Sequence, residues 1–292
     1  MRQAIFYVPM NHKPRTLKDA LSGRISQALI TQLPRAYDII GKIGILEIPT
    51  CLEPHEAIIA KTLLEISPSI ITVCKKIGGH TGRFRRQHIK ILAGKRSKTT
   101  IHTENGVRLK VHVEDAYFSP RLANERWRIA NLVKNKERVL VMFSGIAPYP
   151  LAIAKLGRAL SISGVEINPK AHKLALENIS LNKNFSRTIT LYCGDARKVV
   201  PRLHQTFDRI VMPLPKGASS YFNAALAASK PGTIIHYYTF APEKEIDRAA
   251  VFALVEIRKL GHDAVAVGTV RCGQSRVREF RVCVDLKISA YI

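Results

Sequence analysis

Apolar and polar residues alternate in blocks along the second half of the chain. Short apolar runs of the kind found in buried strands occur at 138–143, 160–166, 188–193, 207–212 and 233–238. Apolar residues at helical spacing separate these runs at 151–156, 169–181, 197–203, 219–228 and 246–261. This alternation predicts a parallel sheet covered by helices. Two last strands, at 264–272 and 279–288, predict an antiparallel pair that completes the sheet.

The first part of the chain has a different pattern. Residues 37–49 alternate like a hairpin, 55–67 have helical spacing, and 72–76 read as a strand. Two more short strands at 100–113 turn at Glu104-Asn105-Gly106. A helix at 120–134 follows, with Ser119 as its expected N-cap. We therefore expect a short basic segment at 1–35, a small α+β module at 36–118 and a Rossmann-like α/β domain at 119–292.

Three strand ends of the α/β domain carry the clearest chemical signal. The first strand runs into a turn with Gly145, Glu166 ends the second strand about 20 residues later, and Asp195 ends the third. A carboxylate at the position of Glu166 can accept hydrogen bonds from both hydroxyls of a ribose. One at Asp195 can accept from an adenine amino group. The pattern predicts a nucleoside site, with helix capping as the alternative role of each acid.

The turn after the first strand narrows the choice of nucleoside. Ala147 stands where a dinucleotide-binding fingerprint has a second glycine, so nothing here cradles a pyrophosphate. This departure favours S-adenosylmethionine (AdoMet), a nucleoside without phosphate, over NAD.

Two further segments are candidates for contact with a substrate. Pro213 and Pro215 restrict the loop after the fourth strand, whose carbonyls can accept from a target amino or amide group. Arg121 follows Tyr117 and Phe118, and a guanidinium suits a purine carbonyl or a phosphate, while the aromatic rings can stack on a flipped base. The alternatives are an ordinary tight loop and a solvated helix residue.

The charge of the chain limits the range of partners. The 292 residues include 46 Lys and Arg against 22 Asp and Glu, a net charge of +24. Such a field attracts polyanions, and because the basic residues are spread along the chain, nucleic acid is favoured over a membrane surface. No apolar run reaches transmembrane length and no secretory leader is visible, so we expect a cytoplasmic protein that binds no membrane.

The cysteines and histidines indicate no metal site. The five cysteines lie far apart without a Cys-x-x-Cys pair, and the ten histidines form no His-Glu-x-x-His pattern. We expect buried free thiols and no metal.

Several segments together resemble the tRNA (guanine-37-N1)-methyltransferases of archaea and eukaryotes and their wyosine-pathway relatives. The resemblance covers roughly residues 36–290, and its ordered combination is more specific than any single motif. The segments that carry it are 37–49, Ile101-His-Thr-Glu-Asn-Gly-Val-Arg, Tyr117-Phe-Ser-Pro-Arg-Leu, Met142-Phe-Ser-Gly, Glu166-Ile-Asn-Pro, Gly194-Asp-Ala-Arg and Ile235-His-Tyr-Tyr.

The resemblance implies a class I methyltransferase domain, AdoMet as methyl donor, and N1 of guanosine 37 in the anticodon loop of tRNA as target. It places Arg121 at the guanine O6, with Pro213 as the second catalytic position, where the family commonly has Asn. Glu125 and Asp195 are the candidates for the general base. Two alternatives stay open: transfer of the aminocarboxypropyl group of AdoMet, and RNA binding without catalysis. The cofactor-binding residues implied are Phe143, Gly145, Glu166, Ile167, Asp195, Ala196 and Met212.

Overall fold

The computed structural model of the chain describes residues 16–34, 36–84 and 86–289, except for the side chain of His80. The contacts between residues divide the chain into two compact units. The first consists of the residues up to Gly79 together with His88–Lys98, and the second of His80–Gln87 and the residues from Thr99 onward. Within the described residues, no helix is long and apolar enough to cross a membrane.

The first unit is built on a four-stranded sheet with the strand order β1-β2-β3-β4. β1 and β2 form the predicted antiparallel hairpin, and β2 pairs with β3 in parallel. β4 lies in a basic part of the sequence, 78–94, for which the hydrophobic pattern predicts no strand. In chain order the elements are α1 (Leu17–Leu21), α2 (Gln27–Thr31), β1 (Asp38–Ile40), β2 (Ile43–Leu46), α3 (Glu56–Ile66), β3 (Thr72–Thr81) and β4 (Arg86–Gly94).

The N-terminal residues from Leu17 onward belong to this unit. Leu17 and Ile30 share a buried cluster with Ile59 and Leu63 of α3. The expectation of a separate basic segment at 1–35 is therefore wrong for residues 17–33, because their apolar side chains complete the core of the first unit. Residues 1–15 and Arg35 lie outside the described residues.

The second unit contains the predicted Rossmann-like sheet. In chain order its elements are β5 (Thr99–Glu104), β6 (Val107–His112), α4 (Ala123–Leu132), β7 (Arg138–Met142), α5 (Pro148–Lys155), β8 (Ser161–Glu166), α6 (Pro169–Leu181), β9 (Ile189–Cys193), α7 (Ala196–Arg202), β10 (Arg209–Met212), α8 (Phe222–Ala227), β11 (Ile234–Pro242), α9 (Ile246–Lys259), β12 (Ala264–Arg276) and β13 (Glu279–Ile288).

Seven of these strands form one sheet with the order β12-β13-β11-β10-β7-β8-β9. β7, β8, β9, β10 and β11 run parallel, and β13 pairs antiparallel with β12, as predicted, and also with β11. Side chains alternate between the two faces of β7. Leu140 and Met142 pack into the cluster that contains residues of α7, α8 and α9, whereas Val139 and Val141 pack into the cluster with α4 and α5.

The boundary between the units lies near residue 98, not near 118 as expected from the sequence. The β5–β6 hairpin belongs to the second unit because Asn178 of α6 and Asn182, which caps the end of this helix, bond to its backbone. Asn178 accepts from the Lys110 amide (2.6 Å) and donates to its carbonyl (3.2 Å). Asn182 does the same for Arg108, at 3.0 and 2.7 Å. These bonds satisfy one edge of the hairpin.

Candidate active site at the carboxyl ends of the strands

The strand order fixes where a ligand can bind. β7 and β10 are neighbours in the middle of the sheet. After β7 the chain continues to β8, toward one edge strand, and after β10 it continues to β11, toward the other edge strand. Ligands of open α/β sheets bind where the connections diverge in this way, outside the carboxyl ends of the strands. The residues that follow β7, β8, β9 and β10 therefore surround one crevice, and these are the segments with Gly145, Glu166, Asp195 and Pro213.

The turn after β7 has an unusual backbone. Phe143, Gly145 and Ala147 have φ angles of 57°, 56° and 67°, in the left-handed region. Such angles cost a non-glycine residue about 1–2 kcal/mol, and strain of this kind is concentrated at functional sites. Hydrogen bonds from the Ser144 amide to the Val165 carbonyl and from the Ala147 amide to the Ser144 carbonyl, both 2.9 Å, hold the turn. Ala147 thus occupies a position where a glycine would be unstrained.

Glu166 holds this turn from the end of β8. Its side chain is buried, and its two carboxylate oxygens accept from the Gly145 amide (2.8 Å) and the Asn168 amide (2.7 Å). Burial raises the pKa of Glu166, against the effect of these amides. The cap of α6 is Asn168, which accepts from the Lys170 amide at 3.0 Å. Helix capping therefore does not explain Glu166, whose carboxylate has about four acceptor sites and so can accept a further donor beside the amides of Gly145, Asn168 and Ile167.

Asp195 does cap its helix. It is the N-cap of α7, accepting from the Arg197 amide at 3.0 Å. The Arg197 guanidinium binds both carboxylate oxygens at 3.1 and 2.7 Å, and Arg83 binds one at 2.7 Å. These contacts, with the hydrogen bonds from Arg197 foremost, lower the pKa of Asp195 to about 2. An adenine amino group would have to take the place of one guanidinium at this carboxylate.

Aromatic rings lie beside these acids. Phe143 packs edge-on against Tyr221, with 4.7 Å between ring centroids, and the Arg197 guanidinium lies 5.0 Å from the centroid of the same ring. Sequence reasoning missed Arg83, Arg197 and Tyr221 as parts of the site. Arg197 follows Asp195 by two residues, at the start of the predicted helix, so its pairing with Asp195 could have been predicted. The sequence has no signal that places Arg83 or Tyr221 near Asp195.

The proline loop after β10 is tight. The Leu214 amide donates to the Met212 carbonyl at 2.8 Å, so this carbonyl is already engaged within the loop. Met212 is fully buried and Pro213 is half-buried. The other predicted positions follow the acids along the chain: Ile167 is half-buried, and Ala196 is buried at the start of α7.

Arg121 lies on a short 3-10 helix, Pro120–Leu122, that precedes α4, and its side chain is exposed. Ser119 stands at the N-cap of this 3-10 helix but makes no side-chain cap bond, contrary to expectation. The segment before it contacts the turn after β7, since a Cβ placed on Gly145 would lie 3.9 Å from the Tyr117 carbonyl oxygen. Asn168 also donates to the Asp115 carbonyl at 2.7 Å. The segment that leads to Arg121 is therefore next to the predicted cofactor crevice.

The two candidates for the general base are both engaged in ion pairs. Glu125 is buried, binds the Arg128 guanidinium through two bonds of 2.7 Å, and accepts from the Tyr238 hydroxyl. Asp195 has a pKa far below neutrality. The low pKa of Asp195 makes its carboxylate a weak proton acceptor. The assignment of a general base to either residue stays a prediction.

His236, Cys283 and Asp285 form one cluster whose donor atoms lie close enough to hold a metal ion. Each is already bonded, however. His236 Nδ1 lies 2.6 Å from Asp285, and Arg209 donates to His236 Nε2 at 2.7 Å. Burial lowers the pKa of His236, and the Arg128 guanidinium lies 3.4 Å from Asp285. The cations around the cluster oppose a metal ion, so we read it as a buried hydrogen-bond network.

All five cysteines are free thiols, as expected, but they are not all buried. Cys74 and Cys283 are buried, Cys272 is half-buried, and Cys51 and Cys193 are exposed.

Comparison with known proteins identifies the family. Residues 100–263 match the TRM5/TYW2 methyltransferase domain. The chain belongs to this family. Residues 17–97 match the TYW2 N-terminal domain, so the boundary between the two matches coincides with the boundary between the structural units. The resemblance and the fold class predicted from the sequence are both confirmed.

Relatives in this family differ in the group that they transfer. The tRNA (guanine(37)-N(1))-methyltransferase Trm5b of Pyrococcus abyssi is 32% identical over 285 residues, which cover 96% of this chain and 82% of that protein. The tRNA(Phe) (4-demethylwyosine(37)-C(7)) aminocarboxypropyltransferase of Pyrococcus horikoshii is 32% identical over 278 residues, 94% of this chain and 97% of that protein. The crystal structure of P. horikoshii TYW2 in complex with MeSAdo superimposes with a TM-score of 0.77 at 29% identity, covering 95% of this chain and 99% of that chain.

Proposed function

We propose that this protein uses AdoMet to methylate N1 of guanosine 37, next to the anticodon of tRNA. The observation that carries the proposal is the position of the Arg121 segment beside the turn that Glu166 holds, in a chain 32% identical to a tRNA (guanine(37)-N(1))-methyltransferase. The anticodon loop of tRNA is the proposed partner, and the net charge of +24 favours its binding.

The residues of the crevice fit a nucleoside that lacks phosphates. The Glu166 carboxylate can accept from the ribose in addition to the backbone amides that already donate to it. Phe143 and Tyr221 provide an apolar wall for an adenine ring. The left-handed Ala147 adds a side chain in the turn where a pyrophosphate-binding loop would have glycine. When bound, AdoMet supplies an electrophilic methyl group on its sulfonium.

Arg121 is the proposed catalytic cation. N1 of guanine carries a proton at neutral pH, and negative charge develops on O6 as this proton leaves. An exposed guanidinium that meets O6 stabilises this charge through two directed donors. Glu125 and Asp195, each held in an ion pair in this structure, stay the two candidates for the proton acceptor.

The test is the single-turnover rate of methylation with saturating tRNA and AdoMet. Arg121→Ala should lower this rate by roughly 100-fold or more, because it removes one electrostatic donor at the reacting base. Arg121→Lys should recover only part of the loss, because a point charge lacks the planar fork. AdoMet affinity should stay at the wild-type value in both variants. A wild-type rate for Arg121→Ala would remove Arg121 from the mechanism.

Aminocarboxypropyl transfer is the second candidate. Two observations favour it: the 32% identity to an aminocarboxypropyltransferase, and Pro213 at the position where the resemblance expects Asn. The two reactions leave different nucleosides, since loss of the methyl group yields S-adenosylhomocysteine and loss of the aminocarboxypropyl group yields methylthioadenosine. Chromatography of the nucleoside released in the presence of tRNA separates them. A protein that binds RNA without catalysis would release neither.

A further inference from the structure

The last three strands of the second unit extend past the carboxyl ends of their neighbours. Met212, the last residue of β10, lies opposite Tyr237, but β11 continues to Pro242. A strand rises about 3.3 Å per residue, so the part of β11 after Tyr237 reaches roughly 16 Å further. It pairs with the start of β13, which in turn pairs with the end of β12. These strand ends and the turn between β12 and β13 form the strand extension, residues 238–242 and 271–282.

The strand extension lies at the same edge of the sheet as the crevice. Nη2 of Arg281, on β13, donates to the Tyr117 hydroxyl at 3.2 Å. The carbonyl of Tyr117 is next to Gly145 in the turn after β7. β12 also contacts the 3-10 helix Pro120–Leu122. The extension is therefore beside the place where the neighbours of a base in the crevice would lie.

Arginines dominate the charge of the strand extension. Glu279 is its one acidic residue, against Arg271, Arg276, Arg278 and Arg281. Arg276 and Arg278 are exposed at the turn between β12 and β13, and neither forms an ion pair with an acid among the residues that the structure describes. Guanidiniums that are not neutralised by nearby carboxylates create a positive potential, which attracts anions. The extension therefore presents a basic surface beside the crevice.

One of these arginines is already held in position by an aromatic ring. The Arg271 guanidinium lies 4.8 Å from the centroid of the Phe280 ring on the neighbouring strand. Its other contact is an ion pair of 3.3 Å with Glu243, in which both side chains are about half exposed. An exposed pair of this kind is weak, so a phosphate can replace Glu243. Because the ring restricts the side chain before binding, Arg271 loses less conformational entropy when it binds a phosphate.

We propose that the strand extension binds backbone phosphates of the anticodon loop next to the target base, through Arg271, Arg276 and Arg278. This inference rests on the proposed function, which makes tRNA the substrate. Arginine binds phosphate through two parallel N–H donors, so each of the three side chains can hold one phosphate group. Phosphate contacts fix the register of an RNA without reading its bases. The extension thus contributes affinity and sets the position of the loop over the crevice.

The experiment measures the affinity of the full chain for tRNA, and for an RNA of the anticodon stem and loop alone, over a series of salt concentrations. The variant is R271A/R276A/R278A, which leaves Arg281 and its bond to Tyr117 intact. Each phosphate contact to a single strand contributes about 0.7 to the slope of log affinity against log salt, so the slope should fall by roughly 2 with both RNAs. AdoMet affinity should not change, because the Glu166 contacts do not involve these residues. If the loss of Arg271 unfolds the chain, R276A/R278A should still lower the slope by about 1.4.

The matched control removes the same charge at the opposite edge of the sheet. R158A/K183A/R187A replaces three exposed cations that precede β8 and β9, and its slope should equal that of the wild type. An unchanged slope in R271A/R276A/R278A, or an equal fall in the control, overturns the inference. So does a fall seen with whole tRNA but not with the stem and loop, since the contact would then lie elsewhere on the tRNA. The nucleoside that the wild-type chain releases tests the proposed function without any of these variants, so the two failures are distinguishable.

Discussion

Replacing Glu166 by Gln tests the cofactor crevice with the smallest change in shape. The carboxylate is nine-tenths buried and accepts from the Gly145 and Asn168 amides, one on each oxygen. A glutamine side chain has one oxygen, and its other end is an NH2 group that can only donate. One of the two backbone amides must then face a donor. The substitution therefore disturbs the strained turn after β7 as well as any bound ribose.

The two effects have different sizes and different measurements. A ribose hydroxyl that meets the amide nitrogen loses a charge-assisted bond of about 1.5–3 kcal/mol, which lowers AdoMet affinity by roughly 10- to 150-fold. The unpaired backbone amide costs about 1–3 kcal/mol in the free energy of unfolding. Burial raises the pKa of Glu166, so the wild-type contribution of this group is largest below the ordinary carboxyl pKa and is lost as pH rises through the raised value. The variant does not titrate, so its stability deficit should shrink from acid to neutral pH.

Calorimetric titration with AdoMet and urea unfolding at several pH values measure both effects. Asp208→Asn is the matched control, because Asp208 also accepts from a backbone amide, that of Arg138 at 2.7 Å. This bond lies at the amino ends of β7 and β10, away from the crevice at the carboxyl ends. The control should lose stability and keep AdoMet affinity. Unchanged AdoMet affinity in Glu166→Gln, or an equal loss in Asp208→Asn, would refute the assignment of Glu166 to the ribose.

Three further predictions follow from the same crevice and surface. The pKa of Asp195 is about 2 in the folded protein against an ordinary value of 3.8. The ionised carboxylate therefore stabilises the fold above about pH 4, and this contribution is lost as the pH falls through 2. With exposed arginine partners we expect about 1 kcal/mol, so Asp195→Asn should unfold more easily in urea at pH 7 but not at pH 2. Ala147→Gly should raise the free energy of unfolding by up to about 1 kcal/mol, with unchanged AdoMet affinity by calorimetry. The affinity for tRNA should fall linearly on a log–log plot against salt, and a flat line would contradict binding through phosphates.

The order of strands and helices in the α/β domain was predictable because each element has a local cause. Helix α6 was predicted at its observed bounds, since Pro169 fits only the first turn and the apolar spacing ends at Leu181. The strand ends followed from the same alternation, so Glu166 and Asp195 could be placed at one edge of the sheet before any contact was known. By contrast, α5 begins at Pro148, three residues before the predicted start, because Pro148 and Pro150 are both accommodated in its first turn.

The domain boundary was not predictable from local patterns. The β5–β6 hairpin reads as a continuation of the strands before it, yet Asn178 and Asn182 bind its backbone from 68 and 74 residues away in sequence. Polar residues on a helix have no periodic signal that indicates such a partner. The same holds for Arg126, which in the sequence is one of two arginines on α4, and which is paired in the core with Glu104 from another element.

Glu166 and Asp195 both lie at the end of a strand, but their roles differ because their distances from the following helix differ. In Glu166-Ile-Asn-Pro, two residues separate the acid from Pro169, so Asn168 becomes the cap and Glu166 faces the turn after β7. In Gly-Asp-Ala, the acid itself stands at the cap, and Asp195 divides its oxygens between the helix and two arginines. A ligand must compete with protein donors at Asp195 but adds to them at Glu166. Substitutions of Glu166 therefore report on cofactor binding more directly than substitutions of Asp195, whose effects combine ligand, helix and ion pairs.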